Sequence, residues 1–176
     1  MMKSVLISIR PQLVEKIAKG EKTIEVRKTA PKEVPFKAYI YCTIGNGVKG
    51  DYLVPSGIQC GKVIGECICD KVDEYHYDYC DGVDIDDDTI LETAIDREDI
   101  NIYAKGKTLY GWHISDLKIY DKPRELSEFS RPCSYSGLCF SCKRTSFKKD
   151  GNLLCNTKIT RPPQSWMYVE DLGEEE

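Results

Sequence analysis

The apolar residues of this chain come in runs of four to eight bounded by turn-forming residues, and that spacing most limits what it can fold into. Strands are expected at 3–9, across 20–28, and at 37–44, 62–69, 108–120, 157–161 and 165–169. The clearest apolar stripe at helical spacing is Leu13, Val14, Ile17 and Ala18, which opens at Pro11 and stops at Gly20. Proline suits the first turn of a helix and glycine its C-terminal exit, so a helix of about nine residues is expected between the first two strands. Many short strands with one early helix point to an α+β fold, mainly β, built as a small barrel with a few short flanking helices.

The 176 residues fit one domain, expected over 3–172, with a frayed acidic tail at 173–176. No apolar run approaches the roughly 18 residues of a membrane helix. The opening MMKSVLISIRPQ has no small-residue cleavage site and reads as a strand rather than a signal peptide. A cytoplasmic protein is therefore expected, and nine cysteines, an odd number, suit a reducing compartment.

The net charge of −4 divides unevenly, with +6 over residues 1–50, −12 over 51–100 and +5 over 101–150. An acidic protein can thus carry a basic face, and net charge alone does not exclude a nucleic-acid partner. The acidic stretch 70–107 shows weak helical signals at 89–94 and 97–104. It fails the calcium-loop template, lacking glycine at the sixth and glutamate at the twelfth place of any acidic loop, and is expected to be a solvated helical excursion.

In GEKTIEVRK, residues 20–28, strand alternation sends Ile24 and Val26 to one face and Thr23, Glu25 and Arg27 to the other. Arg27 suits a forked phosphate contact, Lys22 supplies a point charge, and Glu25 accepts from a base edge or holds one of the cations. The bland alternative is a cross-strand surface network of little energetic weight. In LYGWHI the same alternation groups Tyr110, Trp112 and Ile114 on one side and Leu109, Gly111 and His113 on the other. Trp112 is a candidate for stacking on a base, against a place in the core. His113, with no visible nucleophile, reads as a hydrogen-bonded structural group, and Trp166 as a packing residue at the closing seam.

The stretch 131–156 places Cys133, Cys139, Cys142 and Cys155 in one excursion. A CxxC flanked by two further cysteines suits tetrahedral zinc, and four thiolates leave no open coordination position, so the expected ion is structural. Chance cysteines in a disordered loop are the competing explanation. Cys42, Cys67 and Cys69 read as small buried hydrophobes, while Cys60 and Cys80 are too isolated to assign. No organic cofactor is expected.

GEKTIEVR resembles the GxKxxExR signature of ASCH domains, with Gly20, Lys22, Glu25 and Arg27 at its four defining places. SVLISIRPQLVEKIAK, GKVIGE, YGWHISDLKIYDKP and RPPQSWMYVEDL are similar to ASCH proteins of bacteria and phages, which extends the resemblance over roughly residues 3–172. It implies a PUA-like β-barrel with a cleft beside the signature strand that holds RNA or a modified nucleotide; Lys22, Glu25 and Arg27, with Trp112 as the stacking candidate, are the ligand-binding residues expected. Some relatives resemble small hydrolases, amidohydrolases or ribonucleases acting on nucleosides or RNA, which makes Lys22 and Glu25 the catalytic candidates. Glu25, however, stands where one such group has a threonine nucleophile, and a carboxylate does not replace a hydroxyl that must be acylated. A third possibility is a protein-interaction module using the loop and the acidic excursion.

Overall fold

The computed structural model describes residues 2–44, 57–133, 145–147, 153–155 and 157–173. Strand β1 (Lys3–Ile9) leads into helix α1 (Pro11–Ala18), followed by β2 (Ile24–Arg27) and β3 (Phe36–Cys42). Pro11 begins the helix as expected, and Gly20 leaves it at φ +74°, where a side chain would be strained. The Gly20 and Glu21 amides donate back to the Ile17 and Lys16 carbonyls, turning the chain sharply toward β2.

Strand β4 (Val63–Cys69) runs almost directly into β5 (Val72–Tyr75); β6 (Tyr77–Asp78) and β7 (Gly82–Val83) make a small hairpin. Helices α2 (Asp87–Thr93) and α3 (Arg97–Ala104) follow, then β8 (Leu109–His113) and β9 (Ser115–Arg124). The expected single strand over 108–120 is therefore two, parted at Ile114, because the chain leaves one sheet there and enters another. A hairpin of β10 (Thr145–Phe147) and β11 (Leu153–Cys155) precedes the last strand, β12 (Trp166–Val169). The strand expected over 157–161 reduces to one bridge between Ser130 and Lys158.

Two sheets carry the fold: a five-stranded one in the order β12-β1-β3-β4-β9 and a three-stranded one in the order β2-β8-β5. β1 and β3 are parallel, as a crossover through α1 and β2 requires; the other pairs are antiparallel. The β4–β5 and β8–β9 continuations join the sheets at their corners. Among the described residues the pairing does not close into a ring, so the architecture is α+β, mainly β, without a complete barrel.

The five-stranded sheet is apolar on both faces. One face packs Val5, Ile7, Phe36 and Ile40 against α1 and Trp112, while the other packs Leu6, Tyr39 and Val63 against Phe129 and Val169. β2 is likewise buried along all four residues. Its Val26 faces a third cluster of Tyr75, Val83, Ile85, Ile100 and Leu109. The acidic excursion is thus no solvated appendage: Val83, Ile85, Ile100 and Ala104 anchor it, and dense acidic residues around them conceal that stripe in the sequence. No helix among the described residues is long and apolar enough to cross a membrane.

Candidate functional site

Lys22, Glu25 and Arg27 come together as one buried charge cluster, with 1%, 5% and 8% of their surfaces exposed. Glu25 lies between the cations. Its Oε1 is 2.8 Å from Arg27 Nη2 and its Oε2 3.1 Å from Lys22 Nζ. Lys22 Nζ also donates to the carbonyls of Ile24 and Thr93, both at 2.6 Å, and Arg27 Nη2 donates to the Ser8 carbonyl at 2.6 Å. The cluster therefore ties β2 to the end of β1 and to the last turn of α2, and carries a formal excess of one positive charge.

The Thr93 carbonyl belongs to a helix end, where cations are favoured. Lys16 Nζ caps the next carbonyl, Ala94, at 3.0 Å, and the Thr23 amide donates to the Glu92 carbonyl at 2.9 Å. At its other end α2 is capped by Asp86, which accepts from the Thr89 amide and hydroxyl at 2.8 and 2.7 Å. Burial, the largest influence on Lys22, pulls its pKa below the ordinary lysine value, and the Glu25 carboxylate pulls the other way.

Trp112 lies directly opposite Glu25 in the β2–β8 pair, so both side chains leave the same face, with Arg27 two residues along it. Its ring is 2% exposed and meets Phe36 edge-on at 5.0 Å and Trp166 at 5.6 Å, which makes it a core residue bordering the charge cluster. Trp166 Nε1 donates to Thr29 Oγ1 at 3.0 Å, consistent with the packing role expected for it. Among the described residues Trp112 Nε1 and Arg27 Nε have no hydrogen-bond partner, and Glu25 Oε2 has only the ion contact with Lys22. Cys67 borders the same space: burial first, then Cys69 and the Glu25 charge, push its thiol up to about 12.

His113 is held on the other side of β8. Its Nε2 lies 2.7 Å from Asp73 Oδ2, which Lys71 also meets at 2.9 Å. Burial alone would raise the Asp73 pKa, but the Lys71 and His113 contacts outweigh it and leave it below the usual range. His113 is thus hydrogen-bonded, as expected. Two surface clefts of about 450 Å³ lie elsewhere, one beside Glu66, Lys118, Tyr120 and Arg124, the other beside Asp78, Asp81, Asp84 and Arg97. Neither is lined by the signature residues.

Cys42, Cys67 and Cys69 are buried as expected, and Cys60 joins them. Of the four expected zinc ligands, Cys133 is exposed, whereas Cys139, Cys142 and the Cys155 side chain lie outside the described residues. Among the described residues no group of three or more histidine, cysteine or acidic side chains is placed to hold a metal.

An ASCH structure from Zymomonas mobilis superposes on this fold with a TM-score of 0.56 at 17% identity, over 96% of this chain and 88% of that one. The fold is that of an ASCH domain. Structures of the same Zymomonas protein with a Tyr→Phe or a Ser→Ala substitution agree, each with a TM-score of 0.56 at 16% identity. They cover 91% and 89% of their own chains. No protein-family model and no curated protein matches the sequence.

Within this fold Lys22, Glu25 and Arg27 sit where β2 meets the end of β1 and the last turn of α2, while Gly20 stays exposed at the exit of α1. Sequence reasoning missed the carbonyls of Ser8 and Thr93, and no signal points to them. A carbonyl has no side-chain identity, and Thr93 is 71 residues from Lys22.

Proposed function

We propose that this ASCH domain binds RNA or a free or modified nucleotide at the signature strand, in a PUA-like setting formed by the two linked sheets. One observation carries the proposal: Arg27 Nε, Trp112 Nε1 and Glu25 Oε2 emerge from one face of β2–β8, buried and short of hydrogen-bond partners. Buried polar atoms are nearly always satisfied, by protein, water or ligand. Two donors beside an acceptor, in a cluster of net positive charge, match an anionic ligand that also offers a donor, as a nucleotide does.

The test is fluorescence anisotropy of a labelled single-stranded RNA at two salt concentrations, with wild type, Arg27→Lys and Trp112→Phe, each checked for folding by circular dichroism. Saturable binding that weakens with salt is expected, and loss of one charge-assisted contact weakens it roughly tenfold or more. No binding at any salt, or variants that bind like wild type, overturns the RNA proposal. A hydrolase acting on a nucleoside or RNA is the alternative outcome of the same experiment. Shortened RNA recovered after the titration, absent with Lys22→Met, would establish it.

We also propose that Cys133, Cys139, Cys142 and Cys155 hold a structural zinc. The β10–β11 register supports this, since it sets the backbone of Cys155 opposite Thr145, three places after Cys142 in the sequence.

A further inference from the structure

Among the described cysteines one pair is set apart by geometry. Cys42, the last residue of β3, and Cys60, just before β4, bring their Sγ atoms to 3.5 Å at 0% and 1% exposure. The Cys42 amide donates to the Lys62 carbonyl at 2.9 Å and the Gly61 amide to the Cys42 carbonyl at 2.8 Å, so backbone bonds on both sides hold the thiols together. Gly61, directly after Cys60, turns the chain at φ +82°, with Ile44 only 3.0 Å from where its Cβ would stand. The other described thiols are arranged differently. Cys69 donates to the Lys71 carbonyl at 3.2 Å, and Cys80 and Cys133 are exposed.

We propose that Cys42 and Cys60 are an oxidisable dithiol, a modification site for small-molecule disulfides. A disulfide needs its sulfurs about 2.05 Å apart, so the native contact must shorten by roughly 1.5 Å, within reach of small side-chain rotations. In the first step one cysteine thiolate attacks a sulfur of glutathione disulfide, forming a mixed disulfide and releasing one glutathione thiolate. The second cysteine then attacks the protein sulfur of that mixed disulfide and expels the second glutathione. Two cysteine thiols are oxidised to one disulfide, the small disulfide is reduced to two thiols, and the cysteine protons finish on them. Burial, followed by the contact with Cys60, holds the Cys42 thiol well above its usual pKa, so exchange is slow and follows local opening.

The bond has a structural consequence because Cys42 pairs with Ile9 on β1, next to Ser8, whose carbonyl holds Arg27. It ties together the two ends of the β3–β4 connection beside the end of β1 that anchors the charge cluster.

The experiment equilibrates full-length protein in glutathione buffers of graded redox ratio, approached from both the reduced and the oxidised side so that slow access cannot mask the end point. After thiol blocking and trypsin digestion, cleavage at Lys37, Lys49 and Lys62 puts the two cysteines on separate peptides, 38–49 and 50–62. A cross-link between those peptides is expected, favoured at least about tenfold over the same protein in strong denaturant. It should vanish in Cys42→Ser, persist in Cys67→Ser, and raise the melting midpoint of the oxidised wild type. A pair that oxidises no more readily in the folded than in the unfolded chain overturns the proposal. So does glutathione captured only as mixed disulfides on Cys80 and Cys133.

Discussion

Glu25→Gln tests the charge cluster most directly, because it removes the one anion between two buried cations while almost preserving shape. The carboxylate lies 2.8 Å from Arg27 Nη2 and 3.1 Å from Lys22 Nζ, with all three side chains at most 10% exposed. At an effective dielectric of about 20, each such contact is worth roughly 5 kcal/mol of Coulomb energy before desolvation is counted. Measured losses on breaking a buried pair are about 3–5 kcal/mol, since the orphaned charge stays behind. Against a total stability of about 5–15 kcal/mol, that is a large fraction. In urea, with a slope of about 2–3 kcal/mol per molar, the unfolding midpoint should fall by roughly 1–2.5 M. Lys22→Met combined with Glu25→Gln removes one orphan and should recover about 1 kcal/mol or more relative to additivity. A midpoint shift in Glu25→Gln below about 0.5 M, with the slope unchanged, would refute the cluster as a source of stability.

Two further outcomes follow from charges and thiols elsewhere. Asp171 accepts from the Tyr39 hydroxyl, from Lys37 at 3.2 Å and from the Gly173 amide. Burial alone would raise its pKa, but these contacts outweigh burial and hold it below 3.8. The unfolded chain then takes up the proton first as pH falls, so Asp171 contributes stability above that ordinary value and loses it through the lower folded one. Thermal melts between about pH 5 and 2 should show a shallower acid decline in Asp171→Asn; identical slopes would show that its contacts carry no linkage. For the zinc proposal, elemental analysis of protein purified without added metal should find about one equivalent. Well under one, or a normal content in Cys142→Ser, would remove the site.

How much was legible in the sequence depends on whether a feature is local. The helix from Pro11 to Ala18 was readable because proline, the apolar stripe and Gly20 all lie within ten residues. The break at Ile114 was not, since the 108–120 run keeps a strand pattern while its hydrogen-bond partners change from β2 and β5 to β4. Gly65 marks the new pairing, because a Cβ there would stand 2.5 Å from the Lys118 carbonyl. In the site, the signature spacing announced that Lys22, Glu25 and Arg27 belong together. It did not announce their burial, which comes from sheet and helix packing on both faces of β2.

The end of α2, within the acidic excursion, therefore belongs to the charge cluster. Lys22 Nζ spends two of its three hydrogens on the carbonyls of Ile24 and Thr93 and directs the third toward Glu25. If α2 withdrew, Lys22 would lose one acceptor and gain water. Its desolvation would ease, the main cause of its lowered pKa would fade, and the ammonium would be free to turn toward a ligand. With α2 docked, Lys22 braces Glu25, and among the described residues Arg27 Nε and Trp112 Nε1 are buried donors without a partner. Arg27 and Trp112 also carry structural load, through the Glu25 and Ser8 contacts and the Phe36 packing, so the proposed binding role is tested with the conservative Arg27→Lys and Trp112→Phe rather than with truncations.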